Sequence, residues 1–144
     1  MIQFQTYDVE MPKLDFALIR EWIEQVCAAH ECLPGVLVYR FCSDAHIIEV
    51  NRQFLSHDYF TDIITFPYSE NGRISGDILI SLDTVLSNSE TVGQSYEREL
   101  HRVIIHGVLH LCGIDDKGPG EREIMEQHEN ESLLLLDTLR SKQF

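Results

Sequence analysis

The sequence contains no long apolar run. A membrane-spanning helix needs about 20 consecutive apolar residues, whereas apolar runs such as Leu133 to Leu136 are only four residues long. The first residues, Met1 to Asp8, also lack the basic lead and the apolar stretch that signal and transit peptides contain. These absences predict a cytoplasmic protein that has no membrane partner.

Cysteine pairs with the spacing of a metal or redox motif are also absent. The four cysteines, Cys27, Cys32, Cys42 and Cys112, include no C-x-x-C pair, and a reducing cytoplasm would keep them as thiols. We therefore expect them to fill the core. Cys112 follows His110 by two residues, which places it about 200° further around a helix and away from any site at that histidine.

Positive charge is scarce. The chain has 11 Lys and Arg residues against 24 Asp and Glu residues, a formal net charge of -13. Proteins that bind nucleic acid through a broad basic face gain affinity by neutralising phosphates, so this composition argues against that mode of binding. Any contact with nucleic acid would have to be local, through a bound cation and a few nearby arginines, or would need a protein partner that delivers the RNA.

The sequence does contain alternating strand-like and helix-like segments. With 144 residues, 44% of them hydrophobic, it is long enough for one core and too short for two, which predicts a single domain over residues 1–144. The predicted fold is α/β, a mixed sheet of about four strands covered by about five helices. The predicted strands are Ile2 to Tyr7, Gly35 to Cys42, Thr61 to Pro67 and Gly76 to Ser81, the last two forming a hairpin through Glu70 to Arg73; the predicted helices begin near Leu14, Ser43, Ser81, Ser95 and Glu121, the second of them ending near Ser56.

The most informative segment carries two histidines in the C-terminal half. His106 and His110 are four residues apart, about 400° around a helix, so both imidazoles leave the same face and can converge on one cation. A third ligand is needed. Gly113 ends the helix and lets the chain fold back, which brings Asp115 or Asp116 within reach. Three protein ligands would leave one position open for water.

The residue after the first histidine argues against a zinc peptidase. The H-E-x-x-H motif of metalloproteases places a glutamate general base there, whereas this chain has Gly107. The histidine pair is therefore consistent with a metal site of another class.

Several segments together resemble the YbeY family of bacterial endoribonucleases. The segment His106 to Asp116 is similar to the signature H-G-x-L-H-L-x-G-x-D-H, Thr61 to Pro67 to T-D-V-L-S-F-P, and Gly76 to Ser81 to G-D-I-x-I-S. Asn51 and Phe54 resemble N-x-x-[aromatic], and the likeness covers roughly residues 50 to 140. The resemblance implies a single-strand-specific endoribonuclease that acts in rRNA maturation and ribosome quality control. It also implies one Zn²⁺ per chain bound by His106, His110 and Asp116, with RNA, rRNA or the ribosome as partner.

Two positions depart from the family pattern. Asp116 stands where the signature usually has histidine, and an anionic oxygen would make the ion a weaker Lewis acid and would also admit Mn²⁺. Leu55 stands where the family typically has an arginine, which removes a candidate phosphate clamp. Arg52 could reach the same region and is a weak candidate for that role.

Two other functions remain open from the sequence alone. One is a metal-dependent hydrolase of a small-molecule or other ester substrate, which the net acidity would suit. The other is a non-catalytic ribosome assembly factor in which the metal is structural. Among further polar residues, we expect Asp62 and Asp77 to bond backbone amides and expect Lys117, although near the site, to be a surface residue.

Overall fold

The computed structural model describes residues 1–55, 61–69 and 72–142, and these residues form four strands and five helices. The predicted end of the second helix, near Ser56, lies outside the described residues, as do the predicted turn residues Glu70 and Asn71. In chain order the elements are β1 (Ile2–Thr6), α1 (Phe16–Ala29), β2 (Leu33–Cys42), α2 (Asp44–Leu55), β3 (Ile63–Pro67), β4 (Arg73–Ser81), α3 (Leu82–Val92), α4 (Tyr96–Leu111) and α5 (Glu121–Ser141).

The sheet has the strand order β1-β2-β4-β3. The first three of these strands run parallel, and β3 pairs antiparallel with β4, with Phe66 opposite Asp77. The predicted mixed α/β sheet and the predicted antiparallel pairing are both confirmed. Because β3 is an edge strand with β4 as its neighbour, its other side is open, and side chains from helices can approach its first residues there.

Short polar side chains determine where most of the helices begin. Asp15 Oδ1 accepts from the Leu18 amide at 3.1 Å, Ser81 Oγ from the Thr84 amide at 3.3 Å, and Ser95 Oγ from the Arg98 amide at 3.1 Å. Each of these bonds satisfies an amide that has no partner inside its own helix. The helices α1, α3 and α4 therefore start where the sequence places an aspartate or a serine before an apolar repeat.

The main core lies between the sheet and helices α1, α4 and α5. It is continuous through Trp22, Tyr39 and Ile104, which are fully buried. The polar atoms of the two rings have partners: Trp22 Nε1 donates to Ser132 O at 2.7 Å, and Tyr39 OH donates to Ile104 O at 2.8 Å. A buried hydroxyl or indole N–H without such a partner would cost about 1–3 kcal/mol, so these bonds allow the rings to tie α5 and α4 to the rest of the core.

A smaller cluster covers the other face of the sheet. It contains Cys42, Ile47, Val50, Ile64 and Leu79, and α2 supplies two of these residues. Leu79 faces this cluster while its neighbours on β4 face the main core, as expected for side chains that alternate along a strand. Helices therefore cover both faces of the sheet.

The second strand starts earlier than predicted. The predicted strand starts at Gly35, but β2 begins at Leu33, with an irregular register between Pro34 and Leu37. Strand β1 pairs with β2 only from Leu37 onward. Since the first residues of β2 have no β1 neighbour, the missing N–H of the proline removes no bond on that side.

Within the described ranges, no helix is long and apolar enough to cross a membrane. The cysteines are all free: Cys27 and Cys42 are buried, and Cys32 and Cys112 are partly buried against the main core. The prediction that they contribute to the core is confirmed.

Two glycines mark close contacts between elements. A Cβ at Gly76 on β4 would lie 2.9 Å from the backbone oxygen of Phe66, whereas a Cβ at Gly107 on α4 would meet only methyl ends of Ile63 and Ile78 at 3.2–3.3 Å. A backbone atom in a sheet cannot move aside as a methyl group can.

We expect Gly76→Ala to lower the free energy of unfolding by about 1–3 kcal/mol, measured by chemical denaturation.

Gly107→Ala is the matched comparison. Its overpacking is opposed by the higher helix propensity of alanine, about 1 kcal/mol, so we expect a smaller loss than for Gly76→Ala. An unchanged stability of Gly76→Ala would show that β3 and β4 can separate at this point without cost.

Candidate active site

A cleft of about 880 Å³ lies beside the start of β3, between α4 and α5. The end of α2 and the segment before α4 close its other sides. The residues that line it are Asn51, Leu55, Thr61 to Thr65, Val92, Gln94, Glu99, Arg102, Val103, His106, His110, Asp116, Lys117, Arg122, Met125, Glu126 and Glu129.

The two histidines of α4 lie on the same side of the helix. Their rings are nearly parallel, at 4°, with centroids 6.5 Å apart. His106 is partly buried at the base of the cleft, and His110 is exposed one turn further on. This is the arrangement that the four-residue spacing predicts.

Asp116 is brought to His106 by the end of α4. Gly113 has a φ of 98°, a left-handed conformation that glycine adopts at low cost, and the chain reverses there. Asp116 Oδ2 then lies 3.4 Å from His106 Nε2. Asp115 is exposed and does not line the cleft. Of the two aspartates that spacing alone left open, only Asp116 shares the cleft with the histidines.

The other nitrogen of His106 contacts a buried glutamate of α5. His106 Nδ1 lies 2.7 Å from Glu129 Oε2, and Glu129 is 8% exposed. Arg102 donates to Glu129 Oε1 at 2.9 Å and to Asn130 Oδ1 at 2.7 Å. Because a carboxylate only accepts, Nδ1 carries the proton in this contact and the Nε2 of a neutral ring is left as a lone-pair donor facing Asp116.

The burial of these groups shifts their proton affinities. Burial disfavours the imidazolium of His106, but the hydrogen bond and charge of Glu129, followed by the charges of Asp116 and Asp62, outweigh it and raise its pKa. Burial raises the pKa of the Asp62 carboxyl, and that effect exceeds the attraction of His106. Burial likewise raises the pKa of Glu99. The cleft thus concentrates several titratable groups with altered proton affinity, as functional sites commonly do.

Two aspartates that the sequence analysis treated alike have different surroundings. Asp62 accepts bonds from its own backbone amide and from that of Ile63, as predicted, but it also lines the cleft beside His106. Asp77 does not line the cleft, and its carboxylate bonds the hydroxyl of Tyr68. Asp62 is therefore an additional residue of the cleft.

Some of the positions considered for phosphate binding line the cleft, and others do not. Leu55 lines the cleft and brings no charge to it, whereas Arg52 is exposed and is not among the lining residues. Lys117, which we expected to be a surface residue, is exposed and also lines the cleft, together with Arg122.

The side chains in the cleft fit a metal ion by their chemistry. Two imidazoles and one carboxylate are a common donor set for zinc, and the glutamate behind His106 is the kind of partner that orients a ligating histidine. In the part of the chain that the structure describes, however, no group of three or more His, Cys, Asp and Glu side chains is placed so as to hold a metal ion. His106 and Asp116 are close to one another, and His110 stays exposed beside them.

Comparison with known proteins identifies the family. The family model described as Endoribonuclease YbeY matches residues 1–137. The chain belongs to the YbeY family. Proteins named Endoribonuclease YbeY are 60% identical over 136 residues in Phocaeicola vulgatus (94% of this chain, 99% of that protein), 56% identical over 134 residues in Bacteroides thetaiotaomicron (93% and 98%), and 45% identical over 135 residues in Porphyromonas gingivalis (94% and 89%).

The fold also has a known counterpart. The fold is similar to the solution structure of TM1509 (VT1, a NESGC target protein) from Thermotoga maritima. The TM-score is 0.64 at 26% sequence identity, and the similarity covers 99% of this chain and 95% of that chain. The YbeY match starts at residue 1, so the resemblance seen from about residue 50 onward extends through β1, α1 and β2.

Sequence reasoning assigned no role in the cleft to Arg102 or Glu129, and it set Asp62 aside. Glu129 is 23 residues from His106. This separation in sequence does not indicate how α5 packs against α4 or which of its residues face the histidines. The available signal was local: a glutamate among the buried positions of an otherwise apolar helix face needs a polar partner.

The contact between His106 and Glu129 predicts a pH effect in metal-free protein. We expect an imidazole pKa for His106 above its ordinary value, measured by NMR titration, and a lower one in Glu129→Gln, which removes the negative charge. Because the folded-state pKa is the higher one, the contribution of His106 to stability is complete below the unfolded-state pKa and is lost as the pH rises through the folded-state pKa.

Glu131→Gln is the control, since Glu131 is an exposed glutamate of the same helix that contacts His128 instead. An equal change of the His106 pKa in both variants would mean that the overall charge, and not the hydrogen bond, sets it.

Proposed function

We propose that this chain is a metal-dependent endoribonuclease that hydrolyses phosphodiester bonds in single-stranded RNA and acts on rRNA during its maturation and during ribosome quality control. The observation that carries the proposal is a cleft with His106, His110 and Asp116 on its wall in a chain of the YbeY family. The relatives named Endoribonuclease YbeY span nearly the same length as this chain, which supports the same activity for residues 1–144 as one hydrolase domain.

His106, His110 and Asp116 would hold one Zn²⁺ per chain. When bound, such an ion polarises phosphate oxygens and makes a bound water more acidic. The anionic Asp116 makes the site suitable for Mn²⁺ as well. Support for this set comes from the 3.4 Å approach of Asp116 to His106 Nε2 and from the parallel rings of the two histidines.

The chain's own residues would prepare the cleft for a phosphodiester. Glu129 keeps His106 Nδ1 protonated and fixes the direction of the ring, and Arg102 holds Glu129 in place. Asp62, whose pKa is raised by burial, can take or give a proton at its carboxyl oxygen close to where the reacting groups would lie. These are roles in orientation and proton transfer.

The other two functions considered from the sequence receive less support. Neither a small-ester hydrolase nor a non-catalytic assembly factor agrees with relatives of 45–60% identity that are named endoribonucleases. A cytoplasmic location and a protein partner that helps to present ribosomal RNA to an acidic enzyme complete the proposal.

Metal content and RNA cleavage, measured on the same preparations, test the proposal. We expect about one zinc per chain in the wild type, and cleavage of single-stranded rRNA fragments that falls more than about 100-fold in His106→Ala, His110→Ala and Asp116→Ala, because even an outer partner of a ligand contributes about 10- to 100-fold.

Asp115→Ala is the matched control for Asp116→Ala, since the two aspartates are neighbours and only Asp116 lines the cleft. Cleavage by metal-replete wild type that is no faster than by the three variants would exclude the proposed activity, and equal losses in Asp115→Ala and Asp116→Ala would exclude the proposed ligand set.

A further inference from the structure

The cleft contains three cationic side chains among the described residues: Arg102, Lys117 and Arg122. Arg102 is occupied, because it donates to both Glu129 and Asn130. Lys117 and Arg122 are exposed, and within the described ranges neither forms an ion pair or a side-chain hydrogen bond. Two charges in the cleft are therefore available to a ligand.

Lys117 is held beside the candidate metal ligands. It directly follows Asp116, so their Cα atoms are about 3.8 Å apart, and Asp116 itself contacts His106. The loop after it is shaped by a bond from the Gly118 amide to Glu121 Oε2 at 3.3 Å. The lysine thus lies in the loop between α4 and α5, where it lines the cleft.

Arg122 also lines the cleft, on the first turn of α5 and five residues after Lys117. It precedes Glu129 by seven residues, which is close to two full turns, so the two residues share one face of the helix about 10.5 Å apart along its axis. Glu129 on that face contacts His106, and both Arg122 and Glu129 line the cleft.

The remaining charges of the cleft determine what these cations would bind. The other charged lining residues are acidic: Asp62, Glu99, Asp116, Glu126 and Glu129. Glu126 is one turn from Arg122 and is the obvious internal partner, but these two residues form no ion pair within the described part of the chain. A polyanion approaching a chain of net charge -13 is repelled unless it meets local positive charge.

We propose that Lys117 and Arg122 bind backbone phosphates of single-stranded RNA and lead the strand across the candidate metal ligands. The inference rests on the proposed function, since it names the residues of that same cleft that hold the substrate. Arginine can bind a phosphate with two parallel hydrogen bonds, and lysine acts as a point charge.

Binding of a non-cleavable strand tests the inference separately from catalysis. The probe is a 2′-O-methyl single-stranded oligonucleotide, and its affinity is measured by fluorescence anisotropy over a range of salt concentrations. Each phosphate contact of a single strand contributes a slope of about 0.7 in log K against log salt, which corresponds to about fivefold in affinity at 0.1 M salt. We expect a loss of about this size in Lys117→Gln and in Arg122→Gln, with a lower slope in each.

Lys13→Gln and Arg73→Gln are the matched controls, because both residues are exposed and lie outside the cleft. They remove the same charge and should leave the salt slope unchanged. In RNA cleavage assays run in parallel, KM should rise in the two cleft variants by more than kcat falls, while zinc content stays at the wild-type level.

The outcomes separate the two proposals. Cleavage by the wild type together with unchanged binding in the cleft variants, or equal losses in cleft and control variants, would overturn the assignment of Lys117 and Arg122 and leave the endoribonuclease proposal intact. The expected losses of binding without any cleavage would do the reverse. A wild type that does not bind the oligonucleotide would overturn the assignment as well.

Discussion

The hydrogen bond between His106 and Glu129 connects the two helices that form the cleft. It fixes the ring of His106, determines which nitrogen carries the proton and places the other nitrogen against Asp116. A carboxylate that is 8% exposed would be costly to bury alone, and Arg102 offsets that cost from the same face of α4. The arrangement of the candidate site therefore depends on polar contacts between α4 and α5, two helices that the ion pair of Arg98 with Asp137 at 2.8 Å also joins.

Much of the fold follows from local sequence patterns. Serine and aspartate before apolar repeats set the starts of α1, α3 and α4, and runs of branched and aromatic residues mark the strands. The start of β2 was placed too late because Pro34 reads as a strand breaker, and only the register of β1 explains why it is tolerated. That register is a property of the assembled sheet and cannot be read from the segment itself.

The candidate site likewise contains residues that local sequence patterns predict and residues that only the packing of the helices reveals. His106 and His110 were paired by helical spacing, which is a local property, and Asp116 was one of two candidates because the loop after Gly113 could deliver either aspartate. Glu129 and Arg102 required knowledge of how α5 packs against α4. Asp62 was undervalued for a similar reason: a strand-edge aspartate is unremarkable until the helix opposite it is known to carry the histidines.

The way α5 is attached has a consequence for the width of the cleft. This helix is attached to the rest of the protein by side-chain packing and by side-chain hydrogen bonds such as that of Trp22 Nε1 with Ser132 O, and not by the backbone hydrogen bonds that join the strands of the sheet. Buried residues such as Met125 and Leu133 therefore act as spacers between the two walls. Side-chain volume in this interface sets the distance between α4 and α5, so a change of one methylene far from the histidines alters the width of the cleft.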